Sequence, residues 1–226
     1  ISQLSALALA PLIVVQPIGA IALIITSILN ARIHKIKLDP KTFGAIAITM
    51  LGVSGFVLFT ATSATQVKLD DGMLLQVVGV LIAVLAVFGV LFAISKGRVG
   101  PLQYIFGAGV LYGFVASLAK VVIQRIIQGD INWLTLLATL ALLAAAVLGG
   151  WFVQNAYAAG PPDLVIAGLT VIDPAVAVGI AIVILGEASS AAFGQVLGFG
   201  VSGLVAVLGV LILAKVHPQL SNKQEV

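Results

Sequence analysis

The stretch MLLQVVGVLIAVLAVFGVLFAIS, residues 73–95, decides the fold. It carries no charge, and its 23 residues at ~1.5 Å each make a helix of about 34 Å, enough to cross a hydrocarbon core of ~30 Å. A transmembrane barrel strand would instead show about ten residues of alternating polarity. Similar runs lie on either side, at 43–63 and 101–126, and further out at 5–29, 132–157, 163–186 and 192–215. Between them stand helix-ending signals: Asp39-Pro40, Asp70-Asp71-Gly72, Gly100-Pro101, Gly129-Asp130 and Gly160-Pro161-Pro162-Asp163. The expected architecture is therefore all-α, a polytopic membrane bundle of seven transmembrane helices.

Composition agrees. Of 226 residues, 61% are hydrophobic and only 8% charged, with a mean hydropathy of +1.24. A soluble domain is roughly 25% charged, so lipid must solvate most of this surface. There is no cysteine, which removes thiolate catalysis and Cys-based metal sites. The net charge of +3 is carried by loops and reports orientation, not nucleic-acid binding. Arg32, Lys35, Lys37, Lys41, Lys96, Arg98, Lys215 and Lys223 fall on one side, against Lys68, Lys120 and Arg125 on the other. The positive-inside rule then puts the C-terminus in the cytoplasm of, most naturally, a bacterial cell membrane. Trp133 and Trp151, at opposite ends of the 132–157 run, suit the two interfacial belts.

A shift of 157 positions superposes two segments without a gap. Val14-Val15-Gln16-Pro17 falls on Val171-Ile172-Asp173-Pro174, and Leu51-Gly52-Val53 on Leu208-Gly209-Val210. The two copies start in helices of opposite direction, the construction of inverted-repeat transporters. Residues 1–63 then read as the last two helices of a first repeat, 73–216 as a complete second repeat of five, and 217–226 as a polar cytoplasmic tail. The opening on Ile1 and the odd helix count lead to the expectation of three further helices upstream.

At this point the chain resembles the EamA-like ten-helix members of the drug/metabolite transporter superfamily. The residues that carry the likeness are Ala156-Tyr157-Ala158, Val171-Ile172-Asp173-Pro174, Leu185-Gly186-Glu187, Gly198 and Gly209-Val210. The first repeat matches through Leu7-Ala8-Leu9-Ala10, Pro17, Gly44 and Gly52-Val53. It departs at Asn30, where the family has a glutamate. The likeness spans the whole chain as helices four to ten of a 5+5 fold. It implies alternating-access transport of a small metabolite, proton-coupled or as an exporter. Magnesium-transporting relatives share much of the pattern.

Several residues are candidates for the site. Asp173 lies near the middle of its run, and an intramembrane acid is functional by default. Pro174 beside it lacks an amide hydrogen and frees the carbonyl of Thr170. Pro17 and Pro174 are the expected hinges. Two readings of Gln16, the repeat partner of Asp173, stay open: it faces the same cavity, or it satisfies a neighbouring helix. Gly113, Ser117, Lys120 and Gln124 share one helical face. Two readings of Lys120 stay open: it lines the cavity toward an anionic group or Asp173, or it snorkels with Arg125 to the headgroups. Glu187 reads as a solvated charge at the outer edge, raised to a candidate only by the resemblance. Gly194, Gly198 and Ser202 are spaced for close helix packing within the fold, with a homodimer contact as a second use.

No catalytic constellation is visible. His34 and His217 form no metal-spaced pair, and there is no second intramembrane Asp for a dyad. The expectations are a non-enzyme without cofactor or metal, whose partners are the lipid bilayer and a small-molecule substrate. A divalent-cation transporter and a non-transporting accessory subunit are the alternatives.

Overall fold

The computed structural model describes residues 2–16, 25, 40–62, 67, 69–95, 99–160 and 162–216. Its helices are α1 (Ser2–Leu9), α2 (Pro40–Ala61), α3 (Asp71–Ile94), α4 (Pro101–Ile127), α5 (Trp133–Ala159), α6 (Pro162–Val183) and α7 (Phe193–Val216). No strand occurs among the described residues. Five segments are long and apolar enough to cross a membrane: Phe43–Thr60, Asp71–Ile94, Pro101–Ile127, Trp133–Ala159 and Phe193–Ile212. Gly168–Val183 is a shorter apolar helix. The protein is thus a helical membrane bundle. Pro17, the remainder of the 5–29 run apart from Ile25, and the 217–226 tail lie outside the described residues.

Local chemistry sets the helix ends. Asp70 caps α3, its carboxylate accepting from the Met73 amide at 2.7 Å. Gly100 precedes Pro101 at the first position of α4, and the Gln103 side chain accepts from the Gly100 amide. At the far end of α4, Gly129 takes φ +74°, the Asp130 amide donates to the Arg125 carbonyl, and the Gly129 amide to that of Ile126. These are the paired bonds of a Schellman stop. Asn132 caps α5 by accepting from the Leu134 and Thr135 amides at 3.0 and 3.2 Å.

One expectation is corrected here. The apolar run from residue 5 does not form a continuous helix. It stops at Leu9, and helix resumes at Leu12. The cause is Pro11, which has no amide hydrogen for the Leu7 carbonyl one turn back.

α4 is the buried helix, packed against α1, α3, α5 and α6. Glycine lets it approach α6 closely: a Cβ at Gly109 would lie 2.6 Å from Ile172 Cβ, and one at Gly113 2.6 Å from Val176 Cβ. α2 pairs with α7 in the same way. A Cβ at Gly52 would be 2.3 Å from the Ala206 nitrogen, and one at Gly209 2.6 Å from the Thr49 nitrogen. Gly198 abuts Phe59 and Ser202 sits against Gly55, whereas Gly194 faces open space. At the other end of α4, Phe88, Phe92, Tyr104, Trp151 and Phe152 form a cluster of ring contacts at 5.3–6.0 Å between centroids, joining α3, α4 and α5. The large apolar side chains left on the outer faces, Ile82, Val87, Leu136, Val147, Leu204 and others, are those a lipid solvent would cover.

Candidate functional site

Two features stand out, and they share the 12–16 segment. The first is the break in α1. Interrupting a helix strands backbone groups, and a buried stranded group must find a partner. The Leu7 carbonyl loses its donor to Pro11, and the Lys120 ammonium donates to it instead at 2.7 Å. The same ammonium donates to the Ala10 carbonyl at 2.6 Å. The Ala8 carbonyl, which an unbroken helix would pair with Leu12, accepts from Gln124 Nε2 at 3.0 Å. The freed amides of Leu12 and Ile13 donate to the two carboxylate oxygens of Glu187, at 2.9 and 2.8 Å. Every side chain in this set is buried: Lys120 is 4% exposed, Gln124 9% and Glu187 3%. Lys120 and Glu187 also attract one another electrostatically across the break.

The sequence explains how each arrives. Lys120 and Gln124 lie one turn apart on the α4 face that meets α1. Glu187 follows Gly186, whose φ of +64° turns the chain after α6, and the Glu187 amide bonds back to the Ala181 carbonyl at 3.0 Å. Glu187 is therefore an interior residue, not the solvated charge expected of its position. Lys120 and Arg125 do not snorkel either. Arg125 is fully buried, its Nη1 2.7 Å from Asp71 Oδ1, its Nη2 3.5 Å from Asp130 Oδ2 and its Nε donating to Thr135 Oγ1. It ties the start of α3 to the α4–α5 turn.

The second feature is a cavity of about 330 Å³ between the 12–16 segment, α2, α6 and α7. Val53, Phe56, Val178, Phe199 and Val210 give it an apolar wall, and Gln16, Thr170 and Pro174 stand among the lining. Gln16 is 5% exposed, and its Nε2 has no hydrogen-bond partner among the described residues. Thr170 donates its hydroxyl to the Ile166 carbonyl at 2.7 Å. Asp173 is half-buried beside Gly109 and Gly113 of α4, and its Oδ1 is likewise buried without a partner among the described residues. It is not among the residues that line the cavity.

The structure thus brings Gln16, Thr170 and Pro174 to one cavity and Lys120 and Gln124 to the helix break. Asp173 borders α4 at Gly109 and Gly113, and among the described residues no hydrogen bond or ion pair joins it to Lys120. Sequence reading missed the role of Glu187 and the break itself. Pro11 was the available signal: a proline inside an apolar run strands a carbonyl, and the few charges elsewhere in the apolar runs are the groups able to answer it. Among the described residues no cluster of three or more His, Cys, Asp or Glu is arranged to hold a metal ion.

No family model matches the chain, and no solved structure matches it. It is 26% identical over 218 residues to an uncharacterized protein of Corynebacterium glutamicum (strain ATCC 13032), a match covering 94% of this chain and 74% of that protein.

Proposed function

We propose that this chain is the body of a secondary transporter for a small, largely apolar organic metabolite. It works by alternating access across a bacterial cell membrane, on the inverted-repeat plan of the EamA-like transporters. Seven spans, with the C-terminus in the cytoplasm, complete the reading. The observation that carries it is the buried Gln16 amide on the cavity lining, at the position 157 residues before Asp173. The two residues stand at matched positions in the sequence, each precedes a proline, and among the described residues each holds a buried polar atom with no partner. Unpaired buried polar atoms are uncommon in a folded protein and call for an explanation. A ligand is the natural one for Gln16, whose side chain lines the cavity.

Helix packing lends support. Gly52 meets Ala206 while Gly209 meets Thr49. Gly209 and Ala206 are the positions 157 residues beyond Gly52 and Thr49. Such exchanged contacts are what a two-fold relation between repeats produces.

The lining favours an organic substrate over a divalent cation. Hard cations take six or more oxygen ligands, whereas among the described residues the side chains lining the cavity supply one amide and one hydroxyl. An apolar molecule with an acceptor for Gln16 Nε2 suits the wall better.

The test is a melting-point screen of the full-length protein in detergent against neutral and anionic metabolites and Mg²⁺. A true ligand at a hundred times its Kd adds about 2.7 kcal/mol of stability. The proposal expects an organic compound to produce this rise and Gln16→Leu to lose it, with flux of that compound in proteoliposomes. A response to Mg²⁺ alone favours the cation reading. Binding without flux, or no response at all, favours an accessory subunit.

A further inference from the structure

The five bonds at the break in α1 do more than satisfy stranded backbone. Ile13, whose amide Glu187 holds, lies one helical turn before Gln16. The orientation of Gln16 therefore depends on where Leu12 and Ile13 are held. Glu187 follows the C-terminal end of α6, the helix that supplies Thr170, Val171, Pro174, Ala175, Val178 and Ile182 to the opposite cavity wall. Lys120 holds the α1 side of the break from α4.

We propose that Glu187 and Lys120 are positioning residues for the cavity. Together they clamp the two sides of the broken helix, so that Gln16 presents its amide to the ligand and the 12–16 segment moves with the end of α6. The division of labour follows from chemistry. A carboxylate can only accept, and it faces two amides. An ammonium can only donate, and it faces two carbonyls. Neither could be buried this deeply in an unbroken α1, where the ladder would use those backbone groups. A rearrangement at Pro174 that shifts the α6 terminus would drag Leu12 and Ile13 through Glu187. The cavity wall and the break then change together.

The purpose of the clamp rests on the transport reading of the cavity, but its existence is read without any substrate. The 226 residues contain no cysteine, so single cysteines report cleanly. Gln16→Cys reports on the clamped segment, and Val207→Cys reports on the α7 side of the same cavity. Each is introduced into the full-length protein and labelled with N-ethylmaleimide in membranes.

Releasing the clamp by Glu187→Ala or Lys120→Ala should raise the labelling rate at position 16 about tenfold, as local opening becomes easier. At position 207 the change should stay within about twofold. Glu187→Gln keeps one acceptor oxygen and should give a smaller rise of about threefold. It carries the test if the alanine variants fail to accumulate. The swapped pair Lys120→Glu with Glu187→Lys should not restore the native rate, because each charge would then face backbone groups of its own polarity.

An unchanged rate at position 16 overturns the proposal. So do equal changes at both positions, which would mean general loosening. Rescue by the swap also overturns it, since that would reveal a simple ion pair. If the labelling pattern holds while no flux is ever found, the transport reading fails and the clamp stands.

Discussion

Removing the Lys120 ammonium, as in Lys120→Met, tests the account of the helix break most directly. Methionine keeps most of the side-chain length but strands the Leu7 and Ala10 carbonyls, which now accept at 2.7 and 2.6 Å. It also leaves Glu187, 3% exposed, without the cation that attracts it. A hydrogen bond to a charged group contributes about 1.5–3 kcal/mol in water-soluble proteins. Between membrane helices the average is nearer ~0.6 kcal/mol, because the unfolded chain in lipid also finds partners. Two such bonds therefore contribute about 1–6 kcal/mol. The Glu187 carboxylate also loses the longer-range attraction of that cation across the break. Allowing for the milder membrane reference, the expected loss is about 2–5 kcal/mol.

The diagnostic quantity is the coupling. Adding Glu187→Gln removes the abandoned charge, so the double variant should be more stable than the two separate losses predict, by at least about 1 kcal/mol. Equilibrium unfolding in mixed micelles, followed by circular dichroism, measures all three variants. A loss below about 1 kcal/mol for Lys120→Met, or additivity within about 0.5 kcal/mol, would refute the reasoning.

Three further outcomes are expected. Gly52→Leu should destabilise by about 1–3 kcal/mol or more, because a Cβ there would lie 2.3 Å from the Ala206 backbone. Gly79→Leu, where nothing lies within 4 Å, should be nearly neutral in the same unfolding assay. Gly186→Ala must hold a side chain at φ +64°. It should lower stability by about 1 kcal/mol, and unchanged stability would show that the turn carrying Glu187 relaxes freely. Asp173→Asn replaces an acid whose Oδ1 is buried without a partner among the described residues. The ligand-free melting point should hold or rise, whereas a fall equivalent to about 1 kcal/mol or more would show that the carboxylate is paired in the native protein.

The helical bundle was legible because lipid imposes one rule everywhere: a long run without charge must satisfy its own backbone as a helix. That rule acts on each segment separately, so residues 73–95 and 101–126 could be read without knowing their neighbours. Caps and stops were equally local. Asp70, Gly100-Pro101 and Gly129 act within a turn of themselves, and α3 and α4 begin and end beside them. The shared face of Lys120 and Gln124 followed from helical period alone. The small residues Gly198 and Ser202 could be assigned to packing, although Gly194, at the same spacing, turned out to face open space.

Sequence by itself thus determined the solvent, the helical character of the long apolar runs and the presence of Lys120 and Asp173 within them. What met those residues was decided only in three dimensions. Lys120 lies 110 positions or more along the chain from the carbonyls it caps, and Glu187 lies 174 or more from its amides. No periodicity within one helix encodes such a pairing. A charge near a helix end looks the same whether it reaches solvent or a neighbouring break, and only the packing of α1 against α4 and the turn at Gly186 separate the two. Burial then makes the difference large. In the interior each stranded amide or carbonyl needs a partner, so the break at Pro11 selected Lys120, Gln124 and Glu187.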